Sequence, residues 1–120
     1  MDNINTEEII YQNPRHWGSS FWFVIESIIG ACDITDSIEK ESLEIFLVSL
    51  AALLPCITCR EHYLNYISNH SIQSFTAKTQ YWEWVYQLQK EISSRNEKEF
   101  PSFHDWITNI YHNKFDMNHY

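Results

Sequence analysis

Cys56 and Cys59 stand three residues apart in the stretch LLPCITCREHY, behind Pro55 and ahead of a charged run that contains His62. Such a pair can hold a metal, pack as small apolar side chains, or cycle between dithiol and disulfide. A structural zinc site wants four ligands, usually in two pairs. Here one cysteine pair stands with His62, His70 and a distant Cys32; there is no second pair, and His70 has no histidine partner at the usual spacing. Core packing is open to any cysteine, but two at this spacing directly after a helix-breaking proline give little support to accident. Dithiol–disulfide exchange is the reading the residues favour. A cysteine at a helix N-terminus has its thiolate stabilised by unpaired backbone N–H groups and the helix dipole. Pro55 gives Cys56 that position, and Cys59 lies one turn on, near enough to close a small disulfide ring. The exposed thiolate exchanges with a substrate and the more buried partner completes the exchange.

The elements that must position this pair read as helices. Two Gly and three Pro in 120 residues supply too little turn chemistry for a β-rich fold. Asn13 and Pro14 form a helix start, and the helix runs through HWGSSFWFVIESII to about Gly30, with Phe21, Trp22, Ile25, Ile28 and Ile29 at helical spacing. Glu26 falls on its polar face. Asp36 with Glu39 has capping-box spacing and opens a second helix, striped by Ile38, Leu43, Phe46, Leu47, Leu50 and Leu54. Its last turns, IFLVSLAALL, are apolar all round, which implies burial on several sides by core, cofactor or a partner chain. Pro55 ends it, and a short third helix runs from Cys56 to about Ser68. A fourth, QYWEWVYQLQKEISSR, carries Tyr81, Val85, Leu88 and Ile92 on one face. A fifth opens at Ser102 and Asp105 and buries Phe103, Trp106, Ile107 and Ile110. The simplest architecture is all-α: a four-helix bundle plus one short C-terminal helix, forming one domain over 13–120 behind a polar arm at 1–12.

Sixteen acids against eight bases, a net charge of −8, argue against nucleic-acid binding and against a polybasic membrane anchor. The N-terminus MDNINTEEII lacks the bases and apolar core of a secretory signal, and the longest apolar run has ten residues, too few to insert across a bilayer. The expected setting is cytoplasmic, where a CxxC is metal-binding or redox-active rather than a static disulfide. Two thiols reduce oxygen slowly without a relay, and a flavin is the standard organic one. Aromatic residues make up 16% of the chain, more rings than a small core needs; Trp17, Trp22, Tyr81, Trp82, Trp84 and Tyr86 lie on two helices that could flank a planar ring. Composition alone does not name that ring. Cys32 reads as an idle buried thiol.

Three stretches in this order, HWGSSFWFVIESI, LPCITCREHY and QYWEWVYQLQ, resemble the Erv/ALR family of FAD-linked sulfhydryl oxidases, most closely the short single-domain forms of large DNA viruses. The resemblance covers about His16 to Tyr111. It implies a four-helix bundle with an added short helix, FAD at one end, a CxxC beside the flavin ring, and a homodimer. Carried onto this chain, Cys59 is the flavin-proximal thiol and Cys56 the one that exchanges with substrate. Gly18 and Trp22, with His16 and Trp17 beside them, match the first flavin-contacting segment. Tyr81, Trp82 and Tyr86 match the second, and Tyr63 is carried as a further contact. Lys98 and Phe100 fall near the place of another Lys and aromatic contact. Glu26 stands where cellular members have His, and the run from Gln87 to Glu91 replaces an HNxVN-like signature that grips the adenosine end. Glu26 and Gln87 are carried as cofactor contacts in those places. No metal is implied. A shuttle cysteine pair is missing, so a thioredoxin-like carrier would bring dithiol substrates to Cys56. The implied product chemistry is disulfide formation with electrons passed through FAD to O2, giving H2O2, in host cytoplasm and with possible packaging in virions. Two other classes fit the residues: a flavin-less adaptor of the same fold and a small zinc-binding module.

Overall fold

A computed structural model describes residues 12–95 and 99–114. All regular structure among them is helical, in five segments: α1 Pro14–Ala31, α2 Ser37–Leu53, α3 Ile57–Asn69, α4 Lys78–Arg95 and α5 Phe103–Lys114. The all-α class and the order of helices agree with the sequence pattern. Lys98 and nearly all of the 1–12 arm lie outside the described residues. The chain divides into two compact units, one ending at Gln73 and one beginning at Ser74.

In the first unit, α1 begins where the Asn13 side chain accepts a hydrogen bond from the Arg15 amide at 3.0 Å, with Pro14 at the first helical position. Ile25, Glu26 and Ile29 are its buried residues. Glu26, 5% exposed, is therefore not the polar-face residue its charge suggests. No buried side-chain nitrogen or oxygen among the described residues lacks a hydrogen-bond partner, so this buried carboxyl is not left unpartnered. The helix ends at Cys32, whose amide caps the Ile28 and Ile29 carbonyls. The Cys32 thiol is buried and faces the Glu39 carbonyl at 3.7 Å, so it packs as a small core group between the end of α1 and the start of α2.

The start of α2 departs from the expected capping box. Asp36 makes no side-chain cap bond. Glu39 instead accepts from the Asp33 amide at 3.0 Å, because an Asp33–Thr35 turn brings that amide within its reach. Leu43 and Leu47 are buried in α2 and Leu54 just beyond it, each worth about 1.5–3 kcal/mol of transfer free energy. Ile38, expected on the same stripe, is 74% exposed, since it sits in the first turn beyond the reach of the packed face. Within this chain the apolar end of α2 is covered only in part: Ile45, Val48 and Leu53 are each more than half exposed. α3 packs on α2, and the buried Tyr63 hydroxyl donates to the Leu47 carbonyl.

The second unit is an aromatic core. Tyr81, Trp82, Trp84, Val85, Tyr86 and Leu88 are buried on α4, and Trp106 and Ile110 on α5. α4 starts two residues earlier than its hydrophobic pattern, at Lys78, because the Gln80 side chain accepts from the Thr76 and Ala77 amides at 2.7 and 2.9 Å. α5 opens as expected, the Ser102 hydroxyl accepting from the Asp105 amide at 3.2 Å.

Candidate active site

Leu54 caps α2 at φ −56° and ψ 135°, outside the helical region, as a residue before proline favours. Cys56 follows as the N-cap of α3, φ −101° and ψ 124°. Its sulfur accepts a hydrogen bond from the Cys59 amide at 3.2 Å. The position that Ser or Asp usually fills is thus filled by a sulfur, and an anionic sulfur is the better acceptor there. Both thiols are half-buried. Their neighbours Pro55, Ile57 and Thr58 are exposed, so the turn is reachable from solvent.

The two sulfurs are not equivalent. Burial, chiefly, pushes the Cys59 thiol up from 9.0 to about 12; a hydrogen bond to Cys56 and the charge carried there push the same way, against an opposing backbone hydrogen bond. In the dithiol state Cys59 therefore keeps its proton and offers it to Cys56. The arrangement places one sulfur as the cap of a helix mouth and the other, whose thiol burial holds protonated, one turn behind it. Arg60, given no role from sequence, braces this turn: its Nε donates to the Leu54 carbonyl at 2.5 Å and its amide to the Cys56 carbonyl at 3.0 Å. Its spacing, four residues beyond Cys56, is the signal that was available.

The remaining candidates divide between the units. On α1, His16 is exposed, and Trp17, Gly18 and Trp22 are half-buried. A Cβ added at Gly18 would meet no heavy atom within 4 Å. Open space above a helical glycine, with indoles one residue before and one turn after it, suits the approach of a flat ring. Phe21 packs edge-on against both Trp17 and Trp22, at 5.5 and 4.9 Å between centroids. A separate open apolar groove of about 300 Å³ is lined by Trp17, Phe21 and Val24 of α1 and Phe46 and Leu50 of α2. Tyr63 is 4% exposed and its hydroxyl is used within the unit.

On α4 the candidate rings are engaged inside their own unit. The Trp82 indole N–H donates to the Tyr111 hydroxyl at 3.2 Å, and the ring packs edge-on against Trp106. The Tyr86 hydroxyl donates to the Pro101 carbonyl at 2.7 Å, with Phe100, Phe103 and Trp106 around its ring. Tyr81 is fully buried edge-on to Phe75, Gln87 is exposed and Phe100 half-buried. Among the described residues no group of three His, Cys, Asp or Glu is placed to hold a metal ion.

An all-α chain carrying a capped, solvent-reachable CxxC has the makings of a helical dithiol protein. Its sequence relatives narrow this. It is 37% identical over 62 residues to a "probable FAD-linked sulfhydryl oxidase" of fowlpox virus, covering 52% of this chain and 62% of the relative. It is 27% identical over 62 residues to a "probable FAD-linked sulfhydryl oxidase" of vaccinia virus, covering 52% and 63%. A relative from invertebrate iridescent virus 3, also with FAD-linked sulfhydryl oxidase in its name, is 22% identical over 88 residues, covering 72% of this chain and 60% of the relative. The chain thus spans about 60% of the length of the curated relatives it matches. No family model and no solved structure matches it. Among the described residues no helix is long and apolar enough to cross a membrane.

Proposed function

We propose that this chain is a short viral sulfhydryl oxidase of the Erv/ALR type, catalysing 2 R–SH + O2 → R–S–S–R + H2O2. The observation that carries the reading is the Cys56 sulfur accepting the Cys59 amide at the N-terminus of α3, with the Cys59 thiol, pushed up mainly by burial, one turn behind it. The names of the viral relatives point to the same activity. A substrate dithiol attacks the Cys56–Cys59 disulfide at Cys56, the sulfur at the exposed turn. Cys59 is released as the leaving thiolate, and while Cys56 is bonded to substrate the Cys56 hydrogen bond and charge that add to the effect of burial on Cys59 are absent. The second substrate thiolate then attacks the substrate's own sulfur in the mixed disulfide, forming the substrate disulfide and expelling the Cys56 thiolate, which leaves the pair reduced.

FAD, when bound, supplies the acceptor that takes two electrons from the pair and hands them to O2. On α1, His16, Trp17, Gly18, Trp22 and Glu26 would hold it, Gly18 by leaving room for close approach and the two indoles by stacking. The resemblance also carries Tyr63, Tyr81, Trp82, Tyr86, Gln87, Lys98 and Phe100 toward the cofactor, although Tyr63, Tyr81, Trp82 and Tyr86 are buried and already engaged within their own units. Homodimerisation, a thioredoxin-like electron donor and action in host cytoplasm or in the virion belong to the same reading.

The purified protein should show flavin absorbance near about 450 nm and take up oxygen when given a dithiol. Cys59→Ala should end that uptake while helix content stays unchanged. A colourless, folded protein, or undiminished turnover in Cys59→Ala, would refute the reading.

A further inference from the structure

Arg60 reaches backwards across the first turn of α3. Its Nε bonds the Leu54 carbonyl at 2.5 Å while its amide bonds the Cys56 carbonyl at 3.0 Å. These bonds fall on either side of Pro55, so one residue holds both flanks of the turn that carries Cys56. The Leu54 carbonyl lies just past the end of α2, where carbonyls have lost their intrahelical donors. A guanidinium is a strong donor to such a group. Among the described residues Arg60 enters no ion pair, so its charge is directed at this carbonyl rather than at a carboxylate.

A disulfide between Cys56 and Cys59 needs their Cβ atoms about 3.5–4.5 Å apart. Cys59 rides on a helix and has little freedom. Cys56 is in extended backbone at the junction, so its position depends on what restrains residues 54–56. Arg60 is the side chain that does so by hydrogen bond from outside the segment, beside the buried Leu54 side chain and the Cys59 amide on the Cys56 sulfur. We propose that Arg60 is a positioning residue for the cysteine pair, acting through the Leu54 carbonyl to set the effective concentration of one sulfur against the other. This rests on the reading that the pair cycles between dithiol and disulfide, and it gives that cycle a third, non-reacting member.

Exchange with glutathione tests it without any flavin. The Cys56 thiolate attacks one sulfur of glutathione disulfide and expels a glutathione thiolate, which is protonated. Cys59 gives up its proton, its sulfur attacks Cys56 in the mixed disulfide, and a second glutathione leaves. Two protein thiols lose two electrons, and one glutathione disulfide becomes two glutathione thiols. The whole chain is equilibrated in buffers of varied glutathione ratio, quenched in acid and scored by mass after alkylation.

In Arg60→Met, which keeps the stem and removes the donors, the equilibrium constant for disulfide formation should fall about tenfold, the worth of one charge-assisted hydrogen bond. Arg60→Lys, which restores a charged donor, should recover to within about threefold of wild type. A change confined to the thermal midpoint, with the constant untouched in Arg60→Met, overturns the assignment. Should Arg60→Met lose helix content, Arg60→Gln takes its place and must lower the constant at least threefold for the assignment to stand. A wild-type chain that never forms the Cys56–Cys59 disulfide overturns the oxidase reading itself, and this inference with it, an outcome distinct from an unchanged Arg60 variant.

Discussion

Gly18→Ala should strengthen the fold and weaken the proposed cofactor site at once. Gly18 lies inside α1, where glycine costs about 1 kcal/mol relative to alanine. The added methyl meets no heavy atom within 4 Å, so no packing strain offsets that gain. Unfolding entropy of about 2.1 cal/mol/K per residue gives about 0.25 kcal/mol/K for 120 residues. The thermal midpoint of the flavin-free chain should therefore rise by about 4 °C. The same methyl would stand where a flat ring would lie in closest approach, and overpacking of about 1–3 kcal/mol should weaken flavin binding at least about fivefold. Calorimetry of the flavin-free chain and fluorescence titration with FAD read the two effects separately. A lowered midpoint would show that the space above Gly18 is not open. A raised midpoint with unaltered FAD affinity would remove Gly18 from the site.

Two further outcomes concern the thiols and the buried phenol. In Cys56→Ser, Cys59 loses the charge that helps hold its proton, so its pKa should drop below about 12 yet stay above 9.0, because burial, the largest cause, remains. Thiolate absorbance against pH measures this; an unmoved titration would refute the coupling. Stability should decline at alkaline pH. Cys59 and Tyr63 are both held above their ordinary values of 9.0 and 10.0, mainly by burial, so the unfolded chain releases these protons first. For Cys59 the decline begins near 9.0 and runs to about 12. Urea midpoints that stay level between about pH 8 and 11 would contradict it.

Much of the helical framework was legible because its signals are local. Asn13–Pro14, Pro55 and Ser102 each act on the few peptides beside them, and each ends or begins a helix as its chemistry requires. The capping residue of α2 was misread because a turn at Asp33 offered Glu39 a different amide, a competition that spacing does not reveal. Ile38 and Glu26 show the limit of pattern. Periodicity places a side chain on a face of its own helix but not at the depth to which that face is covered, so one apolar residue lies open and one acid is enclosed. At the site, the CxxC and its unequal sulfurs were foreseeable from Pro55 and the helix start. Arg60 was not, since its role depends on the path of its side chain back to Leu54. The α4 rings were legible as buried or ring-binding, and their hydrogen bonds to Pro101 and Tyr111 depend on the course of the chain after α4.

The cap on α3 is made of the atom proposed to react. In most helices the fastening at the first turn is inert, and the chemistry lies elsewhere. Here any bond that Cys56 sulfur makes to another chain weakens its grip on the Cys59 amide, so the leading turn is loosest while Cys59 has to swing toward its neighbour. Resealing the pair or regenerating the free anion tightens it again. Catalytic progress and the fraying of one helical end would then share a single clock, readable as exchange of the Cys59 amide proton.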